Sequence, residues 1–302
     1  NCKSVSMIFR NAKLQSLIIS DNVLNIPDNM CSNAINLKKI TFADNVENIG
    51  LAAFDHCLKL SSFSLPLNLK YIQAFAFRDS IISSLTIPRN TIYVDKNAFK
   101  GNVNLETVTF DSSCYDDTII SEYDGSIFTD CTNIKKAIFT SNCNIIPTGI
   151  FADIASLNQL IIENGPTSIN YGAFWGCTSL TEVSIPKSIK LIDDVAFNLC
   201  TNLNKVTFEE GVEEIKGHAF NECEFLETLV LPNSLKKITD SFTDCTYLNS
   251  LTIGNSLKEI NGDENFYGCL YLATITVSET NPYFTAIDNV LFSKDKSSII
   301  LY

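Results

Sequence analysis

The apolar residues of this chain return in one frame with a period close to 23. From Ala173 the chain reads AFWGCTSLTEVSIPKSIKLIDDV, from Ala196 AFNLCTNLNKVTFEEGVEEIKGH, and from Ala219 AFNECEFLETLVLPNSLKKI. Taking the Phe as a marker places it at Phe54, Phe77, Phe99, Phe128, Phe151, Phe174, Phe197, Phe220, Phe242 and Phe266, with Ile8 and Cys31 filling the slot in two leading units. Successive spacings are 23, 23, 23, 22, 29, 23, 23, 23, 23, 22 and 24, which makes twelve units and one insertion. Six positions after the marker stands an apolar residue such as Leu180 or Leu203, and nine and eleven after it come two more, as in Val183 and Ile185. That last stretch alternates apolar and polar, the period of a half-buried strand. Pro66, Pro88, Pro186 and Pro232 fall where such a strand must end.

A unit of this length cannot bury its apolar positions alone. Stacking each on the next converts them into continuous ladders, with strands of successive units roughly 4.8 Å apart. The pattern predicts parallel strands over Glu182 to Ile185, Lys205 to Phe208, Thr228 to Leu231 and their equivalents. It predicts one solenoid domain over residues 1–302: repeats from about 8 to 277, an inserted loop at 111–126, and a capping hairpin from Asn289 to Leu301. Solenoids need such caps because open ends expose core ladders and unpaired edges. The chain stops at Tyr302 directly after an apolar strand, which is expected of a fragment of a longer array.

The unit AF-x-x-C-x-x-L-x-x-[VI]-x-[IL]-P, best seen from Ala173 to Ile192, resembles the BspA-like leucine-rich-repeat family. The likeness runs from Ile8 to about Val277, and the tail from Asn281 also resembles a segment that recurs there. The resemblance implies a leucine-rich-repeat solenoid of about twelve coils, with a parallel β-sheet on the concave face and short turns or irregular segments on the convex side. It also implies a surface-exposed or secreted protein that adheres to host or partner proteins, in anaerobic bacteria or parasitic protists.

Charge narrows the partners. With 22 Lys and Arg against 34 Asp and Glu, the chain carries a net charge of −12, and its only arginines are Arg10, Arg78 and Arg89. A nucleic-acid partner needs clustered cations and is excluded on that ground. No apolar run approaches the roughly 18 residues of a membrane span, so no membrane insertion is expected. Of eleven cysteines, seven (Cys57, Cys131, Cys177, Cys200, Cys223, Cys245 and Cys269) stand three positions after the marker. Equivalent residues of stacked coils point in parallel, which is poor disulfide geometry, so these are read as buried free thiols. Cys2, Cys31, Cys114 and Cys143 lie off that row, and Cys114 is the expected exposed thiol.

No catalytic motif is present: there is no GxSxG, GxGxxG, GxxxxGK[ST] or HExxH. His56 and His218 stand seven coils apart, too far to share a metal or a dyad, and both read as turn residues. The acidic pairs Asp193–Asp194, Glu209–Glu210 and Glu213–Glu214 read as a solvated face. Five acids in the insertion (Asp111, Asp116, Asp117, Glu122 and Asp124) offer oxygen ligands but match no EF-hand spacing, and the default is a solvated loop. No enzyme, cofactor or metal site is therefore expected.

The outward strand positions form a Ser/Thr column (Thr41, Ser64, Thr86, Thr109, Ser184, Thr207, Thr252, Thr276) interrupted by Ile18, Ile138, Ile161 and Val230. Ile138 and Ile161 fall in consecutive units, with Lys136, Gln159 and Glu182 on the neighbouring column. An exposed apolar pair rimmed by polar residues is an interaction signature, so these five residues are the candidate partner-binding set. The expectation is a monomeric, non-enzymatic surface or secreted domain that binds a protein or glycan, possibly a host extracellular-matrix protein. The alternative is a spacer that projects other domains and has no ligand of its own.

Overall fold

A computed structural model describes residues 8–112 and 126–301, and it divides into two compact units, one up to Cys143 and one from Asn144. Each unit is a parallel solenoid without a helix among the described residues.

A coil has three sides, clearest in the second unit. The first is the predicted strand. Glu182–Ile185, Lys205–Phe208, Thr228–Val230, Ser250–Ile253 and Thr274–Val277 pair in parallel, one coil to the next. Val183 stands opposite Val206, and Leu229 opposite Leu251, so each apolar position meets its own equivalent. The strand expected to end at Leu231 ends at Val230. In the first unit the same side is built by Ser84–Ile87, Thr107–Phe110 and Lys136–Phe139.

The second side adds a detail to the expected solenoid. It is a second parallel sheet with only two or three residues per coil: Ser168–Ile169, Leu191–Ile192, Glu214–Ile215, Lys237–Thr239 and Glu259–Asn261. Asn25–Ile26, Asn48–Ile49, Tyr71–Ile72 and Tyr93–Val94 form its counterpart in the first unit.

The third side is the marker turn. Every second residue donates its N–H to the next coil: Val195 to Gly217 O, Phe197 to Ala219 O and Leu199 to Asn221 O, at 2.7 to 3.0 Å. The ladder requires left-handed residues two before and two after the marker. Gly172 and Gly176 fill these positions without strain, whereas Val195 (φ 53°) and Leu199 (φ 60°) adopt the same conformation with a Cβ in the way.

The same ladder corrects the register of the first unit. Phe9 donates to Met30 O as Cys31 does to Ala53 O, and Asn11, two further on, is left-handed at φ 61°. The marker there is Phe9, not Ile8, which is 48% exposed. The unit has its Phe after all and is one residue short, like the unit at Phe77.

Between the three sides lies the core. Phe151, Phe174, Phe197, Phe220 and Phe242 are fully buried. Phe174, Phe197, Phe220, Phe242 and Phe266 stack face to face with centroids 5.1 to 5.4 Å apart. At the C-terminal end the predicted hairpin gains a third strand: Phe284–Ile287, Val290–Ser293 and Ile299–Leu301 form an antiparallel sheet. Asn281 ties its entry to the coil before, donating through Nδ2 to Gly254 O and Leu257 O.

Candidate binding surfaces

The thiol row belongs to the core. Cys177 donates to Phe151 O, Cys200 to Phe174 O, Cys223 to Phe197 O, Cys245 to Phe220 O and Cys269 to Phe242 O, all at 3.2 to 3.4 Å. Cys57 and Cys131 make the same bond to Cys31 O and Phe99 O. Each thiol thus caps the marker carbonyl of the coil before it. Burial pushes the thiols of Cys57, Cys131 and Cys200 up to about 12, so little nucleophilic thiolate forms at neutral pH. Cys269, expected to be buried, is only half-buried, and Cys143, off the row, is buried and donates to Phe110 O and Ser112 O. Where the slot holds Asn102, its amide reaches Phe77 O at 2.9 Å, whereas the shorter Ser80 hydroxyl is buried without a partner. Cys2 and Cys114 lie outside the described residues.

His56 sits in an ion cluster that joins two coils. Its Nδ1 lies 2.8 Å from Asp55 and its Nε2 3.2 Å from Asp79, while Arg78 grips both oxygens of buried Asp55 at 2.7 and 2.8 Å. Both ring nitrogens and both Asp55 oxygens are committed, which suits a structural clasp on two left-handed turns and not a proton shuttle. His218 is an exposed turn residue, as expected.

The acidic pairs are more structured than a solvated face. Lys216 reaches Asp193 at 2.9 Å, Lys236 reaches Glu213 at 2.6 Å, and Lys237 reaches Glu214 at 2.9 Å, each bridging one coil to the next. Burial opposes the charge on Asp193, but the Lys216 hydrogen bond and charge, together with the hydrogen bonds from Asp194, outweigh it and hold the carboxyl below its usual range. Glu210 accepts from the backbone N–H of Asn233 and Ser234 and so closes the next turn. Of the inserted acids, Asp111 is described and accepts from Thr140 Oγ1 and Asn142 Nδ2; Asp116, Asp117, Glu122 and Asp124 lie outside the described residues. Among the described residues no group of His, Cys, Asp and Glu is placed to hold a metal ion.

The candidate partner-binding set divides between the units. Lys136 and Ile138 lie on Lys136–Phe139 of the first; Gln159 and Ile161 lie on Gln159–Ile162 and Glu182 on Glu182–Ile185 of the second. Ile138 and Ile161 are half-buried rather than exposed; the outward apolar residues that stand free are Ile18 and Val230, at 77% and 60% exposure.

A surface that the strand columns did not show lies five positions after the marker. Phe225, Tyr247 and Tyr271 occupy that slot in three consecutive coils and stack nearly parallel, with centroids 5.2 and 5.3 Å apart. They are 45%, 45% and 57% exposed. Their spacing of 22 and 24 copies that of Phe220, Phe242 and Phe266 and was readable in the sequence. In the two preceding coils the slot holds Asn202 and Ser179. There a groove of about 580 Å³ opens, lined by Ser179, Thr181, Asn202, Asn204, Phe225 and Glu227.

Parallel strands, a stacked marker and a repeat near 23 define a leucine-rich-repeat solenoid. The chain belongs to the BspA-type leucine-rich-repeat family, whose repeat region of six copies matches residues 5–123, 68–181, 118–241 and 167–299. Among solved structures it is similar to a leucine-rich repeat protein from Bacteroides ovatus (23% identity over 89% of this chain and 80% of that one, TM-score 0.40). It is also similar to one from Eubacterium ventriosum (21%, 89% and 80%, 0.49). A leucine rich cell surface protein from Faecalibacterium prausnitzii matches at 22% over 90% and 82%, with a TM-score of 0.43. No curated protein matches the chain. No helix among the described residues is long and apolar enough to cross a membrane.

Proposed function

We propose that this chain is a non-enzymatic binding domain of a surface-displayed or secreted protein, engaging a protein or glycan on a host or partner cell. The observation that carries the reading is the exposed row of Phe225, Tyr247 and Tyr271. Aromatic side chains supply much of the energy of binding sites, and three exposed in register contribute far less to the fold than their buried counterparts. The buried thiols fit an extracellular setting, since oxidants that act through the thiolate find little of it. Of the strand-side residues, Lys136 and Ile138 on the first unit and Gln159, Ile161 and Glu182 on the second are further candidate contacts, each on its own unit.

The test is binding of the purified chain to immobilised matrix proteins and to whole cells. Saturable binding that falls at least tenfold in a Phe225→Ala, Tyr247→Ala, Tyr271→Ala variant is expected, while the variant stays folded and melts cooperatively. Absence of saturable binding to any of these surfaces supports the spacer reading instead.

A further inference from the structure

The aromatic row does not fade out; it stops at Phe225. Tyr247 covers one face of that ring at a centroid distance of 5.2 Å and an interplanar angle of 9°. On the other side the same slot holds Asn202 and then Ser179, side chains too short to continue the stack. A groove of about 580 Å³ opens beside these shorter residues, within the size range of small-ligand sites. Phe225, 45% exposed, is the aromatic member of its lining.

The chemistry of the walls selects what fits. Of the six lining residues, one is aromatic and five are polar: Ser179, Thr181, Asn202, Asn204 and Glu227. They come from two slots, five and seven after the marker, in three successive coils, so hydrogen-bonding groups repeat at the coil spacing. The Asn202 amide is held in place by its bond to Thr178 O at 2.7 Å. A pyranose has one apolar C–H face and a rim of hydroxyls that both donate and accept; the face matches Phe225 and the rim matches the amides, hydroxyls and carboxylate. An aromatic side chain from a protein would stack equally well but would leave those polar groups without partners. Glu227 is the one charge in the lining and repels a carboxylate or sulfate.

We infer that this groove binds a neutral sugar ring, stacked on Phe225 as the next member of the aromatic row, with its hydroxyls held by Asn202, Asn204, Thr181 and Glu227. The inference rests on the reading of the chain as a binding domain and names the ligand class. The probe is an array of neutral oligosaccharides (glucans, mannans, galactans and chitooligosaccharides) with sialylated and sulfated ones as contrasts, applied to the full chain. Binding is expected among the neutral set only. Phe225→Ala should weaken it at least tenfold, Glu227→Gln several-fold, and Phe225→Trp should retain it, each variant remaining folded with a cooperative melt. Neutral-sugar binding indifferent to Phe225→Ala, or binding confined to the acidic sugars, overturns the inference.

Whole-cell binding separates this failure from that of the underlying reading. Loss of cell binding after glycosidase treatment supports the sugar ligand. Cell binding that needs Phe225 yet survives glycosidase and is lost to protease overturns the sugar in favour of a protein aromatic, and leaves the binding domain standing. No binding to cells, matrix proteins or oligosaccharides overturns both.

Discussion

Two rows of this molecule stand two positions apart in the repeat and live by opposite rules. The slot three after the marker is Cys in most coils and faces the core; the slot five after it varies from Ser179 through Asn202 to Phe225 and faces water. An inward side chain in a solenoid touches its own equivalents above and below, so a change at one level must be answered at two others. Cys200 shows the constraint: its thiol donates to Phe174 O, and its own coil's marker carbonyl accepts from Cys223. An outward side chain carries no such obligation. Uniformity in the thiol row therefore follows from the fold, whereas the outer row is free to depart from its polar norm. Three stacked aromatics are such a departure.

The contrast is broken most forcefully by alkali. The thiols of Cys31, Cys57, Cys131 and Cys200 are pushed up by burial from 9.0 to about 12, and that of Cys143 to about 11. A thiol raised on folding contributes its full stability below the unfolded value and loses it as pH climbs toward the folded one, at about 1.4 kcal/mol per pH unit for each group. The melting temperature is expected to fall steeply between pH 9 and 11. It should fall less steeply in Cys200→Ala and with the original slope in Phe225→Ala. A melting temperature that stays flat to pH 11 would show that the row is not buried as described.

Next in size is truncation of one ring from each row. Phe197 is fully buried between Phe174 and Phe220, so Phe197→Ala should cost about 3–5 kcal/mol in denaturant unfolding. Phe225→Ala, at the open end of its stack, should stay within about 1.5 kcal/mol, the ring-pair contribution. Equal costs would erase the distinction between the rows. The smallest effect is a gain. Val195 holds a left-handed φ of 53° at the position where the preceding coil has Gly172. A left-handed Cβ costs about 1–2 kcal/mol, more for a branched side chain, against which glycine loses about 0.5–1 in chain entropy. Val195→Gly should raise stability by up to about 1 kcal/mol; a loss would mean that the methyls of Val195 contribute more packing than strain.

Much of this was legible in the sequence because a repeat is read many times over. Strands such as Glu182–Ile185 and Lys205–Phe208 stood out by alternation, and the marker row by spacing. The second sheet did not, since a strand of two residues such as Leu191–Ile192 is too short to alternate. The marker of the first repeat is ambiguous in the sequence because Ile8 and Phe9 are both apolar, and only the backbone ladder tells them apart. The acidic pairs looked solvated because their lysines lie one coil later, distant in the chain and adjacent in space. The aromatic row carries no strand signal because its slot lies on the turn that leads into the strand, whereas the apolar pair on the strand, Ile138 and Ile161, is half-buried.

The thiol bond has one more consequence, for how such chains change length. Each donor looks back to a carbonyl 25 to 27 residues earlier in the regular coils, never further. Removing one whole coil therefore takes away one donor and one acceptor together and joins the remaining ends in the same relation. Adding a coil does the reverse. Neither event orphans a buried polar group, the usual reason that internal insertions and deletions are rejected. Recombination between neighbouring repeats can then lengthen or shorten the array in whole steps, while the number of rings in the exposed aromatic row is counted out along with it.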